Sequence, residues 1–591
     1  MKERWVLLRK GADFAGIGER FHISPRLACL IRNRDITGDK NIESYLYGTI
    51  ADLEDGMLMR DMDRAVEILM EKVREGAGIR VIGDYDIDGV CATYILLEGL
   101  KGLGAVVDTD IPDRIADGYG LNRHLIDRAF EAGTDTIVTC DNGIAAAEEI
   151  AFARELGMTV VVTDHHEVPF DEVDGGKRYR LPPADAVVDP KRADCPYPFK
   201  GLCGAAVAYK LMEALYESMG RDSSDIDYLM EEVAFATVGD VMDLTGENRI
   251  FVRQGLEMLQ STTNPGLRAL MECTGIDRKS VGTYHIGFVL GPCLNASGRL
   301  DTAKRALSLL SAESKKEADL LAGDLKALND SRKEMTEEAV REAVEQVENT
   351  ASGRQRVLVL YLPGCHESLA GIVAGRVRER YCRPAFVITD SGEEGLAKGS
   401  GRSIEAYHMY EELNKCRDLF VRFGGHRLAA GLTLEKKNIE KFRQDINAVC
   451  TLTETDMTEK VSIDMQMPFS CVTEELLEEL KLLEPFGKGN TKPVFAEKNV
   501  SVVSCRLIGK NRNMLRFRLR DGGGTDMDAV YFGDAGEFLE EVEAKYGRAV
   551  RESFFEGGYR RIRLSVTYYP GVNEYIGRKT MQIVVTHYQI V

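Results

Sequence analysis

Met158-Thr159-Val160-Val161-Val162-Thr163-Asp164-His165-His166 decides how this chain is read. The run from Met158 to Val162 is short and apolar, and it predicts a buried strand. It leads into an acid followed by two adjacent imidazoles. Two earlier apolar runs also lead into acids. Ile79-Arg80-Val81-Ile82-Gly83 precedes Asp84-Tyr85-Asp86-Ile87-Asp88-Gly89, and Thr136-Ile137-Val138-Thr139-Cys140 precedes Asp141-Asn142-Gly143. Open α/β sheets bind ligands at the carboxyl ends of parallel strands. Several carboxylates gathered there repel one another unless cations sit among them. The three strand ends therefore predict a divalent-metal site with more than one ion.

Asp84, Asp86 and Asp88 alternate on a tight loop, and Gly89 releases the chain into a helix. Alone, such a loop reads first as a helix N-cap with surplus surface acids. Asp141 and Asp164-His165-His166 at equivalent strand ends turn the reading toward metal. Carboxylates and imidazoles together suit Mn²⁺ or Mg²⁺, and imidazole favours Mn²⁺. Asp240 follows the apolar segment Val233–Gly239 and by itself reads as a loop or cap acid. Phe423-Gly424-Gly425-His426 is a candidate anion loop in which backbone N–H groups approach closely and His426 adds a donor. A tight turn around a packed histidine explains it equally well. Lys398-Gly399-Ser400-Gly401-Arg402-Ser403 is a second candidate anion loop, with Arg402 able to grip a phosphate through its fork of donors.

A chain of 591 residues is too long for one core, so several domains are expected. No apolar stretch is long enough to span a membrane, and Met1-Lys2-Glu3-Arg4-Trp5 lacks the apolar core of a signal peptide. The 13 cysteines are odd in number and form no Cys-x-x-Cys pair, which predicts a reduced, cytoplasmic protein without a structural zinc cluster. The net charge of −19 fits a solvated acidic surface, and it leaves nucleic acid open because binding depends on local basic stripes.

The expected class is α/β. Residues 1–50 predict a helical segment packed on the domain next to it in sequence. Residues 51–311 alternate strand and helix patterns, with Ala105–Ile111 and Ala184–Val188 as further strands, and predict a parallel sheet covered on both faces. Residues 312–349 predict a connecting helix or helix pair, because Leu320, Leu321, Leu325 and Leu328 recur at helical spacing. A second α/β unit occupies 350–455. Residues 456–591 carry short β-rich runs separated by Gly and Asn, the pattern of a small barrel. There Arg516, Arg518 and Arg520 alternate with Leu515, Phe517 and Leu519, which puts three guanidiniums on one face of a strand. An outer solvated face is one reading. A single-sign stripe on an OB-type barrel, with Tyr531 or Phe532 stacking on bases, points instead to a single-strand-binding platform.

These motifs in this order resemble the RecJ family of the DHH phosphoesterase superfamily over nearly the full length. The resemblance is carried by Gly83–Gly89, Asp141-Asn142-Gly143-Ile144, Asp164-His165-His166, Cys195–Leu202 and Gly239-Asp240 with Leu244–Arg249. It continues through Leu294–Arg299, His366, Gly371–Ala374, Gly399–Ser403, Phe423–His426 and Leu483–Asn490. It implies a DHH domain joined by a long helix to a DHH-associated domain, plus a C-terminal OB barrel that helps enclose a narrow channel. It implies two ions, Mn²⁺ or Mg²⁺, held by Asp84, Asp86, Asp88, Asp141, His165 and Asp240, with His166 close by and Asp141 bridging. Arg114, Ser400 and Arg402 match a 5′-phosphate pocket, and His426 matches a histidine at the scissile phosphate. Three positions depart from the family pattern. Ile82 stands where relatives carry a histidine ligand, Cys293 where they carry an arginine, which leaves Arg299 as the nearby cation, and Cys365 replaces a common tryptophan.

The resulting expectation is a metal-dependent 5′→3′ exonuclease on single-stranded DNA in repair and recombination. Single-strand-binding protein and a helicase are the partners that the resemblance implies. The alternatives are a DHH phosphoesterase on short oligonucleotides or cyclic dinucleotides, and a non-catalytic replication scaffold. The scaffold reading conflicts with the retained acids.

Overall fold

The computed structural model describes residues 3–114, 117–118, 120–173, 176–349, 355–575 and 578–591. Met1 and Lys2 of the N-terminal stretch, and residues 350–354 between the connecting helix and the second α/β lobe, lie outside these. The chain divides into two compact units, Leu53–Glu459 and Lys2–Asp52 with Lys460–Val591. Among the described residues no helix is long and apolar enough to cross a membrane.

The first unit opens with a five-stranded sheet. Its strands are β1 (Gly78–Ile82), β2 (Val106–Asp110), β3 (Thr136–Cys140), β4 (Thr159–Thr163) and β5 (Ala186–Val188). Their order is β2-β1-β3-β4-β5, and every pairing is parallel. Ile82 lies opposite Thr139, Cys140 opposite Thr163 and Thr163 opposite Val188, so the residues after each strand emerge on one edge. Val160, Val161 and Val162 are fully buried, which explains a continuous apolar run rather than an alternating one. Each such side chain contributes roughly 1.5–3 kcal/mol of burial.

Helix α1 (Ile87–Gly102) follows β1 and is apolar almost all round, because it is covered on several sides. It packs against α2 (Gly204–Ser218) and α3 (Met230–Gly239). The fit against α2 is close. A β-carbon at Gly99 would lie 2.6 Å from the Met212 sulfur. Helix α4 (Gly291–Leu300) leads toward α5 (Lys315–Asn349), a single helix of 35 residues that runs between the two lobes of this unit. Its buried face runs from Ala318, Ala322, Leu325 and Asn329 to Thr336, Ala339, Ala343 and Val347, whereas Leu320 is exposed. Small residues let α5 lie close to α4, so the leucine spacing marks the helix but only part of its contact face.

The second lobe is a mixed sheet of β6 (Leu358–Tyr361), β7 (Ala385–Asp390), β8 (Leu396–Arg402), β9 (Phe420–Gly425) and β10 (Ala429–Glu435), with α6 (Ala370–Tyr381) against it. The order is β9-β10-β8-β7-β6, and only β6 and β7 run parallel. Both glycine-rich candidate loops are strand here. Gly399 and Gly401 lie within β8, where added β-carbons would strike Leu432 at 2.9 Å and Phe386 at 2.5 Å. Gly399 and Gly401 are therefore required by packing within the sheet, whereas a β-carbon at Gly424 of β9 would meet nothing within 4 Å.

In the second unit β11 (Phe495–Ile508), β12 (Met514–Arg520), β13 (Asp526–Tyr531), β14 (Arg563–Tyr575) and β15 (Arg578–Ile590) form a closed barrel. The order β11-β12-β13-β15-β14 returns to β11. Three helices, Phe14–Phe21, Pro25–Asn33 and Asp39–Tyr47, share its core. Asn33 Nδ2 donates to the Asp464 carbonyl at 3.0 Å, and Ser24 N donates to Glu479 at 2.7 Å. The N-terminal helices therefore pack on the end of the chain and not on the domain next to them in sequence. Pairing over more than 400 residues leaves no local signal.

Candidate metal centre

The strand-end acids converge at the carboxyl edge of the parallel sheet. Asp86 caps α1, with Oδ1 accepting from Asp88 N at 2.9 Å and Gly89 N at 3.1 Å. Asn295 of α4 braces the same loop by accepting from Ile87 N at 2.9 Å. Asp88 is fully buried, and its two oxygens accept from Gly204 N at 2.7 Å and Ala205 N at 2.8 Å, at the positive end of α2. Asp141 occupies the left-handed region at φ 59°. Asn142 ties the sheet edge together by donating to the Ile82 and Cys140 carbonyls at 3.1 and 2.9 Å. Ile82 itself is buried in the strand, and the acids of the following loop supply the donors at this edge.

His165 Nδ1 lies 3.1 Å from the Leu202 carbonyl, so the proton sits on Nδ1 and the Nε2 lone pair faces the acids. That nitrogen is 3.0 Å from Asp141 Oδ1 and 3.4 Å from Asp88 Oδ2. Burial lowers the His165 pKa, which keeps the ring neutral. A lone pair against two carboxylates is repulsive until a cation enters between them. The carboxyls report the same strain. Burial, then Asp86, pushes Asp84 up to about 8. Burial raises Asp88, and burial with Asp88 and Asp86 raises Asp141.

Three overlapping groups have donor atoms within 4.8 Å of one another: Asp84, Asp86 and Asp141; Asp88, His165 and Asp240; and Asp141, His165 and His166. Asp240 arrives as the residue that ends α3. The donor set, oxygen-rich with one or two imidazoles, fits Mn²⁺ or Mg²⁺.

Two further acids support this edge. Asp164 accepts from Ile144 N, His165 N and His166 N, and its Oδ1 lies 2.8 Å from His166 Nδ1. Burial would raise Asp164, yet the bond to His166 holds it below the usual carboxylate range. Burial would lower His166, but the Asp164 bond and charge lift it to about 9. Asp189 is an acid that sequence reasoning missed, although it directly follows β5 (Ala186–Val188) as the other acids follow their strands. It is fully buried, and its Oδ2 has no partner among the described residues. Burial and Asp164 push its pKa to about 7.

Beside the acids lies a cleft of about 410 Å³ lined by Tyr85, Arg114, Ser368, Ser400, Arg422 and Phe423. Arg114 stacks over the Tyr85 ring at 4.8 Å. Arg402 donates to Ser400 Oγ at 3.1 Å and to the Gly401 carbonyl. Arg299 joins the two lobes by donating to the Ser368 carbonyl at 2.8 Å. Burial, with Arg114 and Arg332 nearby, lowers its pKa to about 10. Neither Arg299 nor Arg402 forms an ion pair with an acid among the described residues, which fits an anion-binding region. Cys293 is buried and accepts from Asn329 of α5, so it fills the α4–α5 contact.

Other site residues fall elsewhere. His426 lies on the exposed turn between β9 and β10, where its Nδ1 accepts from Leu428 N. Among the described residues it has no hydrogen bond, ion pair or ring contact with the acid cluster. The stripe of Arg516, Arg518 and Arg520 is not single-signed. Asp528 lies 3.2 Å from Arg516 and 3.0 Å from Arg518, and Asp526 lies 2.6 Å from Arg520. These acids come from β13, the neighbouring strand, so reading β12 alone misses them. Of the two aromatic candidates, Tyr531 packs edge-on against Tyr588, while Phe532 is exposed.

Comparison with known proteins finds three family domains along the chain. Residues 78–237 match the DHH family N-terminal domain, 354–452 the DHHA1 domain and 463–587 the RecJ OB domain. The single-stranded-DNA-specific exonuclease RecJ of Bacillus subtilis (strain 168) is 36% identical over 544 residues, 92% of this chain and 67% of that protein. The RecJ of Salmonella typhimurium is 32% identical over 605 residues, 99% of each chain. The crystal structure of RecJ in complex with Mn²⁺ from Thermus thermophilus superposes with a TM-score of 0.80 at 27% identity. The match covers 99% of this chain and 79% of that one. A Mg²⁺ complex from the same organism gives 0.75 at 26% identity, over 99% and 78%. With these relatives and all three domains in order, the chain belongs to the RecJ family of single-stranded-DNA-specific exonucleases.

Proposed function

We propose that this protein is a metal-dependent exonuclease that removes nucleotides from the 5′ end of single-stranded DNA. The observation that carries the reading is the meeting of buried Asp84, Asp88, Asp141 and His165 with half-buried Asp86 and Asp240 in overlapping donor groups. One group of Asp84, Asp86 and Asp141 and another of Asp88, His165 and Asp240 would hold two ions, with Asp141 also within reach of His165 and His166. Divalent cations held there would supply positive charge to the phosphoryl oxygens and would acidify an attacking water.

The remaining work falls to the chain's own groups. Asp164 orients His166, whose ring is half exposed. Arg114, Ser400 and Arg402, with Arg299 between the lobes, bind a terminal phosphate next to the acids. A bound 5′ end then places the first phosphodiester bond at the donor groups. The cationic side chains also offset charge that grows on the phosphorus oxygens. His426 enters this reading only as a residue of the β9–β10 turn. Single-strand-binding protein and a helicase fit as collaborators, because each generates or presents the single strand. The 13 cysteines are all free thiols, which fits a cytoplasmic location.

The test is digestion of strands labelled at the 5′ or 3′ end, single- or double-stranded, with Mn²⁺, Mg²⁺ or EDTA, beside a dinucleotide. Stepwise loss of the 5′ label from single strands only, abolished by EDTA, is the expected result. Turnover of the dinucleotide alone would replace the reading with a small-substrate phosphoesterase.

A further inference from the structure

Tyr284 and Phe288 are 66% and 67% exposed, yet they face each other, with ring centroids 5.2 Å apart and planes 28° from parallel. Single exposed apolar residues need no explanation, but a preassembled stack of two rings does. Phe288 lies within a π-helical turn, Ile286–Leu290, that directly precedes α4, and Tyr284 lies just before that turn. Single π turns are rare and concentrate at functional sites.

This turn belongs to the wall of the candidate metal centre. A β-carbon at Gly287 would lie 3.7 Å from Val238 of α3, the helix that delivers Asp240. Gly239 of α3 and Gly291, which opens α4 directly after the turn, both press on Ile87 Cδ1, where added β-carbons would lie at 2.6 and 3.1 Å. Ile87 separates Asp86 from Asp88. Val241, next to Asp240, is 59% exposed and sits at φ 57°, a conformation that costs a β-branched residue about 1–2 kcal/mol. An exposed valine is thus held in strained backbone beside the donor Asp240. Ahead of the rings, Arg278 and Lys279 form no ion pair among the described residues. A preassembled aromatic step suits the π-faces of an unpaired nucleic-acid strand, and Arg278 and Lys279 precede it in sequence.

We propose that Tyr284 and Phe288 form a stacking step for nucleobases of a single strand whose backbone lies at the Asp88–His165–Asp240 donors. This rests on the single-strand exonuclease reading and adds to it a base-binding subsite. The outer faces of the pair receive successive bases without regard to sequence. Arg278 and Lys279 neutralise the adjoining phosphates. The step holds the strand near the donors between cleavage events, so it acts on strand affinity and not on the chemical step.

The experiment uses the full chain and Tyr284→Ala, Phe288→Ala, the double variant and Phe288→Trp. Steady-state cleavage of a dT strand of roughly 20 nucleotides should show KM raised about tenfold for each ring removed. In that assay kcat should be unchanged, and Phe288→Trp should retain the wild-type KM. In EDTA, 2-aminopurine placed at successive positions of that strand should be quenched by the wild type at one or two positions, and not by the double variant. An abasic nucleotide at the quenched position should make wild type and variant equal. An unaltered KM and the same quenching in the double variant overturn the inference and leave the exonuclease reading standing. So does a change confined to self-association in sedimentation. Failure of the wild type to cut any single strand removes the exonuclease reading, and the stacking step falls with it.

Discussion

Gly204 leaves no room for a side chain against Asp141: a β-carbon there would lie 2.7 Å from the Asp141 Cβ and 3.0 Å from its Cα. The Gly204 N–H also donates to Asp88 Oδ2 at 2.7 Å. One residue at the start of α2 therefore sets the spacing between two candidate ligands. Gly204→Ala should push Asp141 and Asp88 apart with little effect on the global fold. Displacements of this size at a reacting centre cost about 100-fold in rate. Cleavage of single-stranded DNA in Mn²⁺ should fall by that order while the far-UV circular dichroism stays unchanged. Full activity would show that the Asp141 position is not critical.

Asp141→Asn separates stability from catalysis. Without ions, Asp141 is a buried carboxyl beside Asp84, Asp86 and Asp88, and burial with these neighbours disfavours its charge. Removing that charge should raise the melting temperature of the metal-free protein. Mn²⁺ should raise the wild-type melting temperature through mass action and have much less effect on the variant. Cleavage should be lost. An Asn variant that melts lower than metal-free wild type and still gains full stability from Mn²⁺ would contradict the assignment of Asp141 as a ligand.

Glu231 gives a pH dependence away from the metal donors. It is buried on α3, and its Oε2 accepts a hydrogen bond from Thr262. Burial lifts its pKa from 4.5 to about 7. Below pH 4.5 the group is protonated in both folded and unfolded chains and costs nothing. Between 4.5 and about 7 the unfolded chain releases the proton first, so stability falls as pH rises. Above that window the full penalty remains, on the order of 3 kcal/mol. Glu231→Gln should therefore unfold at higher urea than wild type at pH 8 and at the same urea at pH 4. A gain at pH 4 equal to that at pH 8 would mean that the effect is not ionisation.

How much of this is legible depends on range. The strand ends with Asp84, Asp141 and Asp164 can be read because each apolar run and its terminal acid are adjacent in sequence. Their meeting then follows from parallel order. Asp189 carries the same local mark at the end of a strand that is equally legible, so the same rule reaches it. Asp240 sits at the end of a helix, where an acid looks like an ordinary cap. What depends on pairing distant segments cannot be read. The helices before Tyr47 join a core that begins after residue 460, and β13 supplies the acids that face the arginines of β12. The glycines of β8 read as a loop because composition does not reveal that Leu432 and Phe386 crowd them.

The arginine ladder of the barrel yields the last prediction. Arg518 lies opposite Asp528 and Arg520 opposite Asp526 in the β12–β13 register, so three guanidiniums share two carboxylates. Exposed pairs of this kind are worth little to stability, and their loss should leave the barrel folded. If this face meets the DNA backbone, the acids are what limit its attraction. Asp526→Asn with Asp528→Asn should release guanidiniums for phosphate and steepen the dependence of log affinity on log salt. The expected change is about 0.7 for each phosphate newly neutralised on a single strand. Arg518→Ala in the wild-type background should change that slope much less, because its charge is already compensated. The measurement is binding of a labelled single strand across a salt series, in EDTA so that the strand survives. A slope that the double Asn variant leaves unaltered would place the ladder away from the DNA, as a device that holds β12 to β13.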